Sequence, residues 1–304
     1  KERIRSQGRI NAETWKEGGK YFRHNGHNIF YRLDGSGEAV IFLHGFPTSS
    51  WDWEKIWPAL TSQFLCVAPD FIGYGYSDKP HEYNYSILDQ ADLAENLLRE
   101  LRIEKAHIFA HDYGVSIAQE MLARSQDRKR ERIKGGLEIL SVCFLNGGIF
   151  PEAHRPRLIQ QLLLSPVGRW VSMFINEGAF RASFCEIFGK GTQPAEEDLK
   201  QFWELIRLNK GHEIYYRLIS YIPEREKNRE RWVNAIMNSR VPLRLINGPE
   251  DPVSGKHMAD QYKKLIQKPD VVLLPGIGHY PQYENPDAVI ANFLEFVRRK
   301  EEEE

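Results

Sequence analysis

Cysteine is scarce in this 304-residue chain: there are three, Cys66, Cys143 and Cys185. That number excludes the disulfide framework of a small secreted domain. Cys66 and Cys143 lie in apolar runs, FLCVAPD and LSVCFLN, and read as small core residues. A reducing, cytoplasmic setting is compatible with this usage. An excess of charge is also lacking: 41 Lys plus Arg face 42 Asp plus Glu, a net charge of −1. That excludes a chain-wide electrostatic footprint for nucleic acid. No run approaches the ~18 apolar residues of a membrane span. The start, KERIRSQGR, has no apolar stretch behind it and is not expected to be a secretory signal. The first residue is Lys, not Met, which is compatible with removal of an upstream segment. The EEEE end reads as a solvated tail. His24, His27, His81, His107, His154, His212 and His257 show no metal-ligand spacing. GYGYS, 73–77, lacks the G-x-G-x-x-G frame of a dinucleotide loop. Neither a metal nor a cofactor is therefore expected.

What is present fits a folded chain of one or two domains, 41% hydrophobic and 27% charged. Short apolar runs alternate with helical patterns, the signature of an α/β class. HNIFYRL and AVIFLHG read as strands joined by the turn Asp34-Gly35-Ser36-Gly37. FLCVAPD, KAHIFAHD, GLEILSVCFLN, PLRLINGPED and DVVLLPGIGH read as further strands. SILDQADLAENLLREL is an amphipathic helix with Leu88, Ala91, Leu93, Leu97 and Leu98 near one face. VSIAQEMLAR, KHMADQYKKLIQ and AVIANFLEFVRR are helical as well. From about 150 to 235 the alternation stops, and an aromatic- and Arg-rich helical insertion takes over. Its natural place is a lid over the C-terminal edge of the sheet, where ligands of open α/β sheets bind. RSQDRKRERIKGG reads as the solvated end of a helix and its loop, and PEREKNRERW as an exposed helix.

The chemistry converges on four stretches. In AHDYG, small residues stand two before and two after Asp112, the spacing of a strained strand-to-helix nucleophile elbow with aspartate in the serine position. His44-Gly45-Phe46-Pro47 follows a strand some 65 residues earlier. The Phe46 and Tyr113 N–H groups are then candidate donors of an oxyanion hole. The His44 side chain reads as a structural hydrogen-bonding group beneath the loop. Asp251 ends one strand in GPEDPV, with Glu250 a rival acid, and His279 follows the next in GIGHYPQYENP. Nucleophile, acid and histidine thus occur in order at strand ends.

The stretches HGFPTSSWDW, YSDKP, AHDYG, NGGIFPEAHRP, GPEDPV and HYPQYENP resemble the α/β-hydrolases of the epoxide hydrolase and haloalkane dehalogenase branch, over roughly residues 20 to 298. The resemblance implies an α/β-hydrolase fold, a mostly parallel sheet flanked by helices. It also implies a helical cap at 150–235, between core parts 1–149 and 236–304. Asn146 matches an alternative acid position of some relatives, but an amide cannot carry the charge, so Asp251 is preferred.

An aspartate nucleophile points to one kind of reaction. A carboxylate is already ionised at neutral pH and suits displacement at an sp3 carbon. The product is an ester on Asp112, and His279, oriented by Asp251, is then free to activate water against it. For a halide leaving group, dehalogenases of this branch place Trp after the nucleophile, and many place Asn in the H-G-x-P loop. Tyr113 and Phe46 stand there instead, with Trp170 as a substitute donor. For an epoxide, the resemblance implies cap tyrosines as proton donors. Tyr216 in GHEIYYRLI matches one, with Tyr215 the adjacent alternative. The second would lie near WVSMFINEG, where Phe174 stands, leaving Tyr221 or Tyr113 as candidates. The expectation is an epoxide hydrolase acting with water on a small or medium apolar epoxide, as monomer or dimer. The rivals are a haloalkane or haloacid dehalogenase and a non-catalytic member that binds a hydrophobic ligand.

Overall fold

Eight strands form one sheet in a computed structural model that describes residues 10–303. The strands are β1 (Gly19–His24), β2 (His27–Asp34), β3 (Ala39–Leu43), β4 (Leu65–Pro69), β5 (Lys105–Ala110), β6 (Glu138–Phe144), β7 (Leu243–Asn247) and β8 (Val271–Leu273). Their order is β1-β2-β4-β3-β5-β6-β7-β8. β1 and β2 pair antiparallel, as do β2 and β4, and all later neighbours pair parallel. Every residue of β3 is buried, as expected of a parallel strand with helices on both faces. The segment KERIRSQGR and the side chains of the EEEE end lie outside the described residues.

Register brings the chemistry together. Leu43 pairs with Ala110, and Ala110 with Phe144. β7 then lies beside β6, and β8 beside β7. The loops that leave β3, β5, β6, β7 and β8 therefore emerge at one edge, the C-terminal edge of the parallel strands.

Helix Ile87–Glu100 is N-capped by the Ser86 hydroxyl, which accepts from the Asp89 N–H at 3.1 Å. It buries Ala91, Leu93, Leu97 and Leu98, while Leu88 is exposed. Leu88 sits about 100° round the helix from its buried neighbour Ile87, just outside the apolar stripe. Helix Tyr113–Glu131 runs into the basic stretch. Only its end is solvated, because Arg124 meets Asp92, Glu95 and Glu120, and Arg128 meets Glu95.

Between β6 and β7 the described chain is helical, including Leu158–Leu164, Gly168–Phe174, Glu177–Cys185, Glu196–Arg207, Tyr215–Leu218, Tyr221–Lys227 and Arg229–Met237. The last of these is tied to helix Tyr113–Glu131 by the Trp232 indole N–H, which donates to Glu120 at 2.8 Å. Arg225, expected on an exposed helix, is instead fully buried. Among the described residues no helix is long and apolar enough to cross a membrane.

Candidate active site

Asp112 sits at the turn between β5 and helix Tyr113–Glu131 with φ 45° and ψ −104°. This is a left-handed, strained conformation for a residue with a side chain. Neighbouring strands hold it there. The Asp112 N–H donates to the Asn146 carbonyl at 2.7 Å, and the His111 N–H to the Leu43 carbonyl at 2.9 Å. The small residue two positions on is a packing requirement, since a Cβ on Gly114 would lie 2.2 Å from the Leu43 carbonyl oxygen. The geometry is that of a nucleophile elbow.

The carboxylate is buried and its two oxygens differ. Oδ2 accepts from the Phe46 N–H at 2.9 Å, whereas Oδ1 faces His279 Nε2 at 3.7 Å. The other ring nitrogen of His279 donates to Asp251 Oδ2 at 2.7 Å. Asp251 also accepts from the Val253 N–H (2.7 Å), the Ser254 N–H (3.0 Å), the Ser254 hydroxyl (2.7 Å) and the Asn146 side-chain amide (2.9 Å). The structure thus brings Asp112, His279 and Asp251 into one line, with the Phe46 N–H on the far side of the Asp112 carboxylate. The other expected oxyanion donor, the Tyr113 N–H, opens the helix directly after Asp112. Glu250 is not among the groups bonded to His279.

Electrostatics follow from burial and charge. Burial alone would lower His279. The Asp251 carboxylate and its hydrogen bond, with the Asp112 charge behind them, outweigh it and raise the imidazole from 6.5 to about 9. Burial would raise Asp251, but the imidazolium and four further donors hold it well below the usual carboxylate range. His44 is driven the other way, to about 3, chiefly by burial. Its Nδ1–H donates to the Gly45 carbonyl, and its Nε2 accepts from the Phe71 N–H. It is a neutral brace beneath the loop.

Several supports were not legible in the sequence. His111, also pushed down to about 3 chiefly by burial, donates from Nε2 to the His279 carbonyl at 2.8 Å. Glu284 of the ENP stretch accepts from the N–H groups of Gly278 and Tyr280 on either side of His279, each at 2.9 Å. Arg225 reaches in from the helical insertion. Its Nε donates to the Ser116 hydroxyl at 2.6 Å and its Nη2 to the Asp112 carbonyl at 3.1 Å, and the guanidinium lies 4.5 Å from the centre of the Tyr221 ring.

A cavity of about 120 Å³ opens over Asp112 and His279. Phe46, Pro47, Leu163, Phe180, Phe184, Ile187, Val253 and Tyr215 are among its lining residues. Its volume approaches that of an apolar cavity that holds benzene. The tyrosine assignment changes here. Tyr216 lies outside the cavity, in a surface depression with His81, Glu82, Arg169, Met173, Glu213 and Arg217. The Tyr216 hydroxyl accepts from Arg217 Nε at 3.0 Å. Tyr215 takes the inner place: it is buried, its ring is 5.1 Å from Phe46, and its hydroxyl has no partner among the described residues. Adjacent helical residues point about 100° apart, so only one of the pair can face the elbow. Trp170 and Phe174 are also outside the cavity, 60% and 76% exposed. The Tyr113 and Tyr221 rings pack together at 5.1 Å without lining it. Among the described residues no group of His, Cys, Asp and Glu side chains is arranged to hold a metal.

Comparison with known proteins places this geometry in a family. Residues 38–286 match the family described as alpha/beta hydrolase fold. The chain is 40% identical over 298 residues to the mesoderm-specific transcript protein of Mus musculus, covering 93% of this chain and 87% of that protein. Among solved structures, haloalkane dehalogenase DbeA from Bradyrhizobium elkani superposes with a TM-score of 0.75 at 24% identity, over 94% of this chain and 99% of that one. Epoxide hydrolase CorEH superposes with a TM-score of 0.73 at 20% identity, over 92% and 98%. The chain belongs to the α/β hydrolase family.

Proposed function

We propose that this α/β hydrolase is an epoxide hydrolase, with residues 150–235 as a cap over a core made of 1–149 and 236–304. One observation carries the proposal: a carboxylate at the elbow shares an apolar cavity with an unpartnered tyrosine hydroxyl, that of Tyr215. Burial raises the Tyr215 phenol well above its ordinary range, so at neutral pH it remains a proton donor.

In the first step Asp112 Oδ1 attacks a ring carbon. The C–O bond breaks, the ring oxygen takes the Tyr215 proton, and an alkyl ester forms. Oδ2 remains on the Phe46 N–H as the ester carbonyl oxygen. Esterification removes the Asp112 charge, one of the influences that hold His279 near 9, so the imidazole pKa falls, the imidazolium proton passes to the Tyr215 phenolate, and the neutral ring becomes available as a base. His279 then takes a proton from water, and the hydroxide attacks Cγ of Asp112. The oxyanion is held by the Phe46 N–H, with the Tyr113 N–H as second donor. Collapse expels the ester oxygen, which takes the proton of the new Cγ hydroxyl and leaves as the diol, returning Asp112 to a carboxylate and His279 to an imidazolium. A halide leaving group is less well served: the Tyr113 ring packs on Phe71, Tyr74 and Tyr221, and Trp170 lies at the surface.

The test is diol formation from styrene oxide and cyclohexene oxide by wild type, Asp112→Ala, Tyr215→Phe and Tyr216→Phe. Diol from wild type and Tyr216→Phe, none from Asp112→Ala and a roughly 10²- to 10⁴-fold slower Tyr215→Phe support the proposal. Retained turnover in Asp112→Ala rejects the mechanism, and halide release from haloalkanes with epoxides inert rejects the substrate class.

A further inference from the structure

One polar side chain in the wall of the Asp112 cavity takes no part in the steps above. Helix Leu158–Leu164 turns Ile159, Gln160 and Leu163 toward the cavity, while Leu158, Leu162 and Leu164 are exposed. An amide therefore stands in an apolar wall, and an amide removed from water needs replacement partners. Its orientation is fixed. Gln160 Oε1 accepts from the Arg157 N–H at 2.8 Å. A backbone N–H can only donate, so the bonded atom is the oxygen and Nε2 is the free end of the amide. Nε2 carries a pair of N–H donors. Its one partner among the described residues is the Tyr221 hydroxyl at 3.4 Å. That is longer than the usual N–H···O range of about 2.7–3.2 Å, so this donor is weakly engaged.

We infer that the Gln160 side-chain amide is a second hydrogen-bond donor to the epoxide ring oxygen, acting beside the Tyr215 hydroxyl. The inference rests on the epoxide reading proposed above. Ring opening places an alkoxide's charge on that oxygen, and donors aimed at developing charge in an apolar site are worth most there. Tyr215 alone serves it poorly: its hydroxyl has no partner among the described residues, so its phenolate would form without a hydrogen bond. Position favours Gln160 as the helper. The Tyr215 and Tyr221 rings both pack on the Phe46 ring, at 5.1 and 5.9 Å, and the Phe46 N–H holds the nucleophile. The Tyr215 hydroxyl and the amide on Tyr221 thus belong to side chains grouped over one ring beside Asp112. Among the other polar side chains of the wall, the Arg157 guanidinium is held by Glu186. Ser183 stands on helix Glu177–Cys185, whose Phe184 packs on Phe202 and Tyr280. As Asp112 Oδ1 bonds to carbon, the C–O electron pair moves onto the ring oxygen. Tyr215 transfers its proton there, and Gln160 hydrogen-bonds without giving up a proton.

The experiment compares kcat/KM for diol formation from propylene oxide and from trifluoropropylene oxide, whose fluorines make the departing oxygen less basic. This ratio reads ring opening against free enzyme and epoxide. Gln160→Met keeps an unbranched side chain of nearly the same length and removes the N–H donors; Gln160→Leu is the second variant, and a thermal melt shows which is folded. A folded variant should lose about 10²-fold on propylene oxide and clearly less on the fluorinated epoxide, because a weaker base needs the donor less. A wild-type rate in the variant overturns the inference and leaves the epoxide reading standing. Equal slowing on both epoxides does the same, since Gln160 would then only shape the wall. No diol from the wild type on either epoxide rejects the epoxide reading, and this inference with it.

Discussion

His279→Gln should halt the proposed reaction between its two steps. The substitution is chosen so that the site survives it. Asp251 keeps four of its five donors: the Val253 and Ser254 N–H groups, the Ser254 hydroxyl and the Asn146 amide. The loop is fixed through backbone atoms that any residue at 279 retains, by Glu284 on Gly278 and Tyr280 and by His111 on the 279 carbonyl. The loss is one charge-assisted hydrogen bond, about 1.5–3 kcal/mol. For a chain of 304 residues that is a fall in Tm of roughly 2–5 °C. Ester formation, which uses Asp112 and Tyr215, should continue, while ester hydrolysis loses its base and slows by about 10²- to 10⁴-fold. The assay is rapid mixing with one equivalent of epoxide, followed by intact mass and peptide mapping. The variant should gain the full mass of the epoxide on the peptide that contains Asp112, and the wild type should not accumulate it. Diol turnover near the wild-type rate refutes the reasoning. So does an adduct on another residue, or no adduct on a folded variant that still binds the epoxide.

The same histidine makes stability depend on pH. Its folded value, about 9, exceeds the ordinary 6.5, so its contribution is complete below about pH 6.5 and lost as pH rises through about 9, roughly 3 kcal/mol in all. Urea unfolding across that window should show the loss in the wild type and a flatter profile in His279→Gln; equal slopes would remove His279 as the cause. Arg225→Met tests the buried guanidinium, which meets Ser116, the Asp112 carbonyl and the Tyr221 ring. Exchanging a buried charge for an apolar side chain of similar size should alter stability by no more than about 2 kcal/mol. Loss of the tie to the elbow carbonyl should slow ester formation by about 10- to 100-fold, and a wild-type single-turnover rate would show that Arg225 does not position the nucleophile.

The features legible in the sequence are those that local chemistry dictates. β3, β5 and β6 are short apolar runs, and a strained acid between small residues follows β5. β1 is not legible because GKYFRH buries only Phe22 and His24 and leaves Lys20, Tyr21 and Arg23 exposed. Such an edge strand lacks the apolar alternation of a half-buried one. The tyrosine pair shows a second limit. Asn209 and Lys210, just upstream, adopt positive φ values of 51° and 59°. Two left-handed residues reset the phase of the next helical turn, so periodicity carried from Glu196–Arg207 cannot decide between Tyr215 and Tyr216. Arg225 shows a third. Within PEREKNRERW it looks like any solvated charge, and its burial depends on an element 77 residues away. A Cβ on Gly148 would lie 2.2 Å from its Nη1, so the glycine that follows β6 makes the space the guanidinium occupies. The support of Asp112 is therefore shared between the loop after β6 and the helical insertion, and neither stretch alone carries the signal.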